Sequence, residues 1–152
     1  LEGADSDPIR RLAILLTTPA EKVIETLKLS NRMADCLTFY CEKEIGVSEE
    51  PKEIKKLFYE MRQMDLLGLL LIKTALNPKY KNMRDMANTI ALNWSVPTFP
   101  LRGVDLLRLG IKPGIEVGDI LMKVEHWWIL SEFKYNKEDC LNWVKDHYVN
   151  ES

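Results

Sequence analysis

Residues 99–121 read FPLRGVDLLRLGIKPGIEVGDIL, and the spacing describes a short helix, a tight turn and a second helix. The short helix is expected over Val104 to Leu109. Gly110 can take the left-handed backbone that ends it, having no Cβ to clash. Pro113 presets the approach to the second helix. Gly114 removes side-chain bulk where backbone amides are still unpaired, and Gly118, four residues on, is placed to let the two helices pack closely. Such a turn shows free N–H groups and a positive helix end to solvent, which suits a phosphate. Arg102 and Lys112 stand nearby in the sequence to add charge. The same glycines would serve a plain helical hairpin, and the residues by themselves leave both readings open.

Working outward, helix signals follow one another. Asp7-Pro8 supplies a capping carboxylate and a proline at the first helical position, with Ile9, Leu12, Ala13 and Leu16 at helical spacing. Thr18-Pro19 opens a second helix, and Ser30 caps a third that runs to about Ile45, where Gly46 stops it. Glu50-Pro51 opens a longer one through Ile54, Leu57, Phe58, Met61 and Met64, continuing with a kink near Gly68 to Asn77-Pro78. Another reaches from Pro78 to about Trp94. Pro97 and Pro100 interrupt the chain, the hairpin follows as far as about Ile129, and a last helix spans about Lys137 to His147. No sustained alternation marks a strand, and no repeat is present. The expected fold is an all-α multi-helix array without a β-sheet, divided into a helical region 1–96 and a C-terminal hairpin region 97–152.

With 152 residues the chain suits one domain or two small helical subdomains. Cys36, Cys41 and Cys140 are too few, and odd in number, for a disulfide framework, so reduced thiols in a cytoplasmic setting are expected. The apolar run Leu66 to Ile72 is too short to span a bilayer, and the N-terminus lacks the pattern of a signal peptide. Leu1-Glu2-Gly3-Ala4 leads us to expect a fragment of a longer protein.

A formal charge of −2 argues against nucleic-acid binding by bulk positive charge, but the total hides a segregation. Residues 52–84 hold 8 basic and 3 acidic side chains, a net +5, whereas 1–51 and 114–152 are each −4. Lys73, Lys79, Lys81 and Arg84 gather around one helix boundary. That cluster reads either as a solvated helix face or as a surface for phosphates.

Catalytic patterns are lacking. There is no P-loop, no G-x-G-x-x-G, no G-x-S-x-G and no H-E-x-x-H. Cys36 and Cys41 have no second pair or histidine to complete a zinc site, and His126 beside Trp127-Trp128 reads as a surface or packing residue. Asp5-Ser6-Asp7 has the spacing of a two-metal carboxylate pair, yet immediately precedes Pro8 and is better read as a helix cap. We therefore expect no catalytic and no metal-binding residues in this chain.

One resemblance emerges from these residues. Pro97-x-Phe99-Pro100-Leu101-x-Gly103-x-Asp105-Leu106, then Leu109-Gly110-Ile111-x-Pro113-Gly114 and Val117-Gly118-x-Ile120-Leu121, resembles the C-terminal signature of bacterial tRNA nucleotidyltransferases. These are the CCA-adding enzymes and the related bacterial poly(A) polymerases. Trp128-Ile129 and Ser131-x-Phe133 continue the likeness to a W-I-x-S-D-F pattern, with Glu132 in place of the aspartate. Arg11-Leu12-Ala13 and Leu27-x-Leu29-Ser30-Asn31 resemble the helices that link the catalytic part to this region, and Gly114-Ile115 departs from the commoner Gly-Pro.

The resemblance implies a helical body and tail that hold the acceptor and T-arm of tRNA, or another RNA 3′ end. Magnesium and ATP or CTP would belong to a catalytic head lacking from this sequence. It carries no implication of DNA or a membrane as partner, and leaves the oligomeric state open. Local charge and the turn nominate Lys79, Lys81, Arg84, Arg102, Lys112 and Gly114 for RNA contacts, with Gly103, Asp105, Gly110, Pro113, Gly118 and Trp128 as the structural motif. The competing expectation is a helical interaction module, in which the Leu/Met-rich helix 54–72 and the tryptophans pack a core or a dimer seam.

Overall fold

The computed structural model describes residues 8–61 and 63–149, with the side chains of residues 63 and 64 also outside the description. The capping and two-metal readings of Asp5-Ser6-Asp7, and the place of the Met64 side chain, thus lie outside the described residues. Among the described residues the structure is helical without a strand: α1 Pro8–Leu15, α2 Ala20–Leu27, α3 Asn31–Glu42, α4 Pro51–Glu60, α5 Gln63–Leu76, α6 Lys81–Asn93, α7 Gly103–Arg108, α8 Ile115–Leu130 and α9 Lys137–Val144. A 3₁₀ turn at Pro78–Tyr80 leads into α6, and a π-helical turn at Lys145–Val149 follows α9. No helix among the described residues is long and apolar enough to cross a membrane. The all-α expectation holds. The chain divides into two compact units, 1–95 and 96–152.

The first unit is built around α5. Leu66, Leu69, Leu70 and Ile72 are all at most 1% exposed, so much of the circumference of this helix is covered, while Ala75 and Leu76 at its end are exposed. Helices α1, α3, α4 and α6 pack on it, bringing Ile9, Leu37, Ile54, Phe58 and Met83 into one core. Local signals set the starts. Ser30 Oγ accepts the Met33 N–H at 3.4 Å, Pro51 occupies the first turn of α4, and Asn77 Oδ1 accepts the Lys79 N–H at 3.1 Å.

Two expectations here are corrected. The long helix does not run on past Gly68 with a kink; it ends at Glu60, with Met61 extended at φ −111°, ψ 157°. α4 and α5 pack against each other and both against α6, which a single straight helix could not do. Gly68 lies inside α5, and a Cβ there would meet Tyr40 Oη at 2.8 Å and Arg10 Nε at 2.9 Å. Its smallness makes room for the Arg10–Tyr40 hydrogen bond of 3.3 Å that ties α1 to α3. Likewise α3 stops at Glu42 rather than Ile45. Ile45 is instead drawn into the core in an irregular segment, 8% exposed, where its carbonyl accepts the Tyr80 O–H at 3.1 Å.

In the second unit α7, α8 and α9 pack pairwise around Leu101, Leu106, Ile120, Val124, Trp128, Cys140 and Val144. Trp128 is the centre. Its indole N–H donates to the Tyr135 carbonyl at 2.9 Å, and its ring meets Phe99 at 5.4 Å and Phe133 edge-on at 5.0 Å. Asn136 and Asp139 form a reciprocal capping box at the start of α9, each bond 3.0 Å.

Candidate nucleic-acid interface

The 99–121 stretch folds as a helix closed by a Schellman motif. The Ile111 N–H donates to the Leu106 carbonyl at 3.2 Å and the Gly110 N–H to the Leu107 carbonyl at 3.0 Å, with Gly110 at φ +90°. Gly114 then starts α8 at φ +140°, ψ −159°, a backbone region open essentially to glycine alone. Lacking a side chain, it leaves the first amides of the 16-residue α8 without a side-chain cap. Lys112, Pro113 and Gly114 are all exposed. A depression of about 410 Å³ adjoins this turn, lined by Gly110, Ile111, Lys112, Glu116 and Tyr148 among others. Glu116 sits in the first turn of α8 and competes with any incoming anion for the positive end of the helix.

Neither Gly103 nor Gly118 is needed to make room between α7 and α8, although Gly103 is the one that faces the other helix at ordinary contact distance. A Cβ at Gly103 would lie 3.5 Å from Val117 Cγ1, whereas Gly118 is exposed and has no described atom within 4 Å of its Cβ position outside its own helix turn. The expectation that Gly118 lets the two helices approach is therefore corrected: the register of α8 turns it outward. Gly103 lies beside Val117 of the first turn of α8, and Arg102, the residue before it, is exposed.

Asp105 holds that arrangement together. It is 5% exposed, accepts the Arg102 N–H at 2.8 Å and pairs with Lys137 Nζ at 2.7 Å. The Lys137 hydrogen bond first, and the Arg102 amide second, hold its carboxyl below the usual carboxylate value. Lys137 had no sequence signal to mark it. It comes from α9, 32 positions away, and pairs with Asp105 while its own side chain stays half exposed.

In the first unit the basic cluster is weaker than its sequence suggests. Lys79 and Lys81 are exposed at the junction of the 3₁₀ turn and α6, with Lys79 Nζ 5.2 Å from the Tyr80 ring centroid. Arg84 is only partly exposed, contacts Asp85 Oδ1 at 3.5 Å, and its Nε is buried with no hydrogen-bond partner among the described residues. Lys73, 12% exposed in its side chain, pairs with Glu44 at 3.0 Å. The Tyr80–Ile45 hydrogen bond docks the acidic 43–50 segment beside α6, where Glu49 also accepts from the Asn82 amide at 3.0 Å. Of the four cations clustered in sequence, Lys79 and Lys81 are the most accessible.

Aromatic residues form a ladder that sequence reasoning missed. Trp127 stacks on Tyr135 at 4.4 Å and 4°, and on Trp143 at 5.7 Å and 28°; His147 stacks on Trp143 at 4.0 Å and 19°. Trp143 and His147 stand four apart, a spacing legible in the sequence; Tyr135 and Trp127 meet only because the chain reverses after α8. Among the described residues no three His, Cys, Asp or Glu side chains gather as a metal site would require. Burial pushes the Cys41 and Cys140 thiols up from their ordinary value, away from the reactive thiolate.

No known family model matches the chain. A stretch of 52 residues, 34% of this chain, is 36% identical to the mitochondrial CCA tRNA nucleotidyltransferase 1 of Mus musculus. The Homo sapiens protein of that name is 35% identical over 52 residues, and the Danio rerio protein 39% over 49. The matched stretch spans 11–12% of the length of these relatives. Over about a third of its length, then, the chain is similar to CCA tRNA nucleotidyltransferases.

Proposed function

We propose that this chain is an RNA-holding helical module of a tRNA nucleotidyltransferase, which positions an RNA 3′ end for nucleotide addition by a catalytic head outside this sequence. The observation that supports it most is the α7–α8 turn. Amides without a side-chain cap at the Gly114 end of α8, and exposed Lys112 and Arg102 near it in the chain, offer donors suited to a phosphate on a protein of net negative charge. Similarity of about a third of the chain to named CCA tRNA nucleotidyltransferases supports RNA as the ligand class.

The module's work is positional. Backbone amides and flexible cations read phosphates and helical shape rather than base edges, which suits a double-helical RNA stem. Fixing the stem removes rotational freedom from the 3′ end before reaction, the largest contribution a non-catalytic part can make. Magnesium and ATP or CTP enter this reading through the proposed catalytic head. Assignment to the bacterial branch, to CCA addition or poly(A) addition, and to the cytoplasm, belongs to the same proposal; the named relatives are mitochondrial proteins.

A titration of fluorescent tRNA with this chain at low and moderate salt tests the reading. The expected result is binding that weakens steeply with salt, by roughly one unit of log–log slope per phosphate neutralised. Arg102→Glu with Lys112→Glu should remove about two units of that slope, and Lys79→Glu with Lys81→Glu a further one or two. Arg84→Glu should change it least, since that side chain is partly buried. Binding that does not respond to salt or to these reversals would sink the proposal.

A further inference from the structure

The solvent face of α8 is not the polar stripe of an ordinary surface helix. Ile115 is 86% exposed, Met122 65% and Leu130 65%, and exposed Gly118, Asp119 and His126 lie between them. At helical periodicity all six fall in one band, opposite the buried Ile120, Val124 and Trp128. Beside the C-terminal half of this band runs an apolar groove of about 490 Å³, lined by Met122, Lys123, His126, Trp127, Leu130 and Trp143. Its indole wall is braced by the stacking of Trp127 and Trp143 with Tyr135 and His147. Lys123, at the border, sets its ammonium 5.6 Å from the Tyr148 ring centroid.

The order of residues along the band is complementary to itself. When a second α8 is laid antiparallel across it, with a twofold axis between positions 122 and 123, Ile115 of one copy faces Leu130 of the other. Asp119 then faces His126, and the two Met122 side chains meet at the axis. Apolar groups oppose apolar groups, and each carboxylate opposes an imidazole. Open space at Gly118 permits close approach of the helices, and the protruding Ile115 is offered to the groove beside Leu130 as a knob to a hole. A parallel pairing sets Asp119 against Asp119 and loses that match.

We propose that the exposed face of α8 is an antiparallel homodimer seam whose occupant is α8 of a second copy of this chain. The twofold pattern of charge and apolar groups singles out the second copy, because an isologous seam must be complementary to itself. At 16 residues α8 is about 24 Å long, so the seam lies below the roughly 1,200 Å² of a standard interface and its affinity is micromolar. The side chains it uses are not those offered to RNA, although Ile115 also carries one of the α8 amides of that proposed site.

Sedimentation velocity of the full chain, from about 1 to about 500 µM, reads the association across the micromolar range. We expect a concentration-dependent dimer that Met122→Glu weakens by about tenfold or more, since two carboxylates then meet on the axis. His126→Asp should weaken it similarly, and the swap of Asp119→His with His126→Asp should restore it. All three sites are exposed, and far-UV circular dichroism of each variant checks that its helices are kept. A monomer throughout the range, or a dimer indifferent to Met122→Glu, overturns the proposal. Failure of the swap to restore association overturns the antiparallel register.

Discussion

The two units stay folded by different means. In the first, α5 is buried over much of its circumference, and apolar residues from four surrounding helices pack around it. Its directional bonds, such as Arg10 to Tyr40 and Tyr80 to the Ile45 carbonyl, join elements that an apolar core already packs. The second unit spans only residues 96–152, and its buried apolar residues are few. It relies on aimed contacts: the Trp128 indole on Tyr135, the Asp105 carboxylate between Lys137 and Arg102, two Schellman motifs and a capping box. Small units gain less from burial because more of their surface stays wet. Directional groups make up the difference and also fix the turn where the RNA contacts are proposed. The comparison teaches that the smaller unit should be the more sensitive to single polar changes and to pH.

Trp128→Ala should break this contrast most severely. Removing a large buried ring costs about 3–5 kcal/mol, comparable with all the stability a unit of that size is expected to have. Hydrogen exchange should show protection lost across 97–149. Phe58→Ala removes a ring of similar burial from the first unit; it should cost a similar amount but leave more residual protection around α5. Equal loss in both units would mean that the larger core has no reserve.

Next in size is Asp105. Its folded carboxyl is held below the ordinary 3.8, so its stabilisation is complete above that value and is lost as pH falls through the lowered one. Thermal melts between pH 7 and pH 2 should show the second unit weakening in that acid window. Asp105→Asn should lower its melting temperature at pH 7 and flatten the acid dependence. An unaltered acid limb in the variant would show that other carboxylates govern it.

Gly114→Ala should cost about 1–3 kcal/mol, because the backbone at φ +140° excludes a Cβ. Its effect on tRNA affinity sharpens the reading of the turn: a loss of binding in a variant still folded by circular dichroism locates the contact at the α8 amides. Smallest, and opposite in sign, are Lys28→Gly and Glu132→Gly. Both residues sit left-handed at helix ends, φ 49° and 59°, and relief of that strain should stabilise the chain by about 0.5–1 kcal/mol each in denaturant titration. Glu132 occupies the position where the resembled pattern has aspartate, a residue that tolerates this conformation better.

Short-range chemistry was legible in the sequence. Helix after helix, the starts at Pro19, Ser30, Pro51 and Pro78 and the left-handed turn at Gly110 rest on interactions within a few residues, which composition and spacing display. The helix–turn–helix pattern of 99–121 was legible for the same reason, with Gly114 at the start of its second helix. Tertiary structure decided what depends on partners far along the chain. It set Gly68 against Tyr40 and Arg10, docked the acidic 43–50 segment beside the basic start of α6, and drew Lys137 onto Asp105. It also turned Gly118 to solvent and set Gly103 beside Val117, because the register of two helices is chosen by every side chain between them. Local backbone preference is a property of neighbouring residues, whereas net charge at a surface and room at a glycine belong to whatever the fold brings alongside.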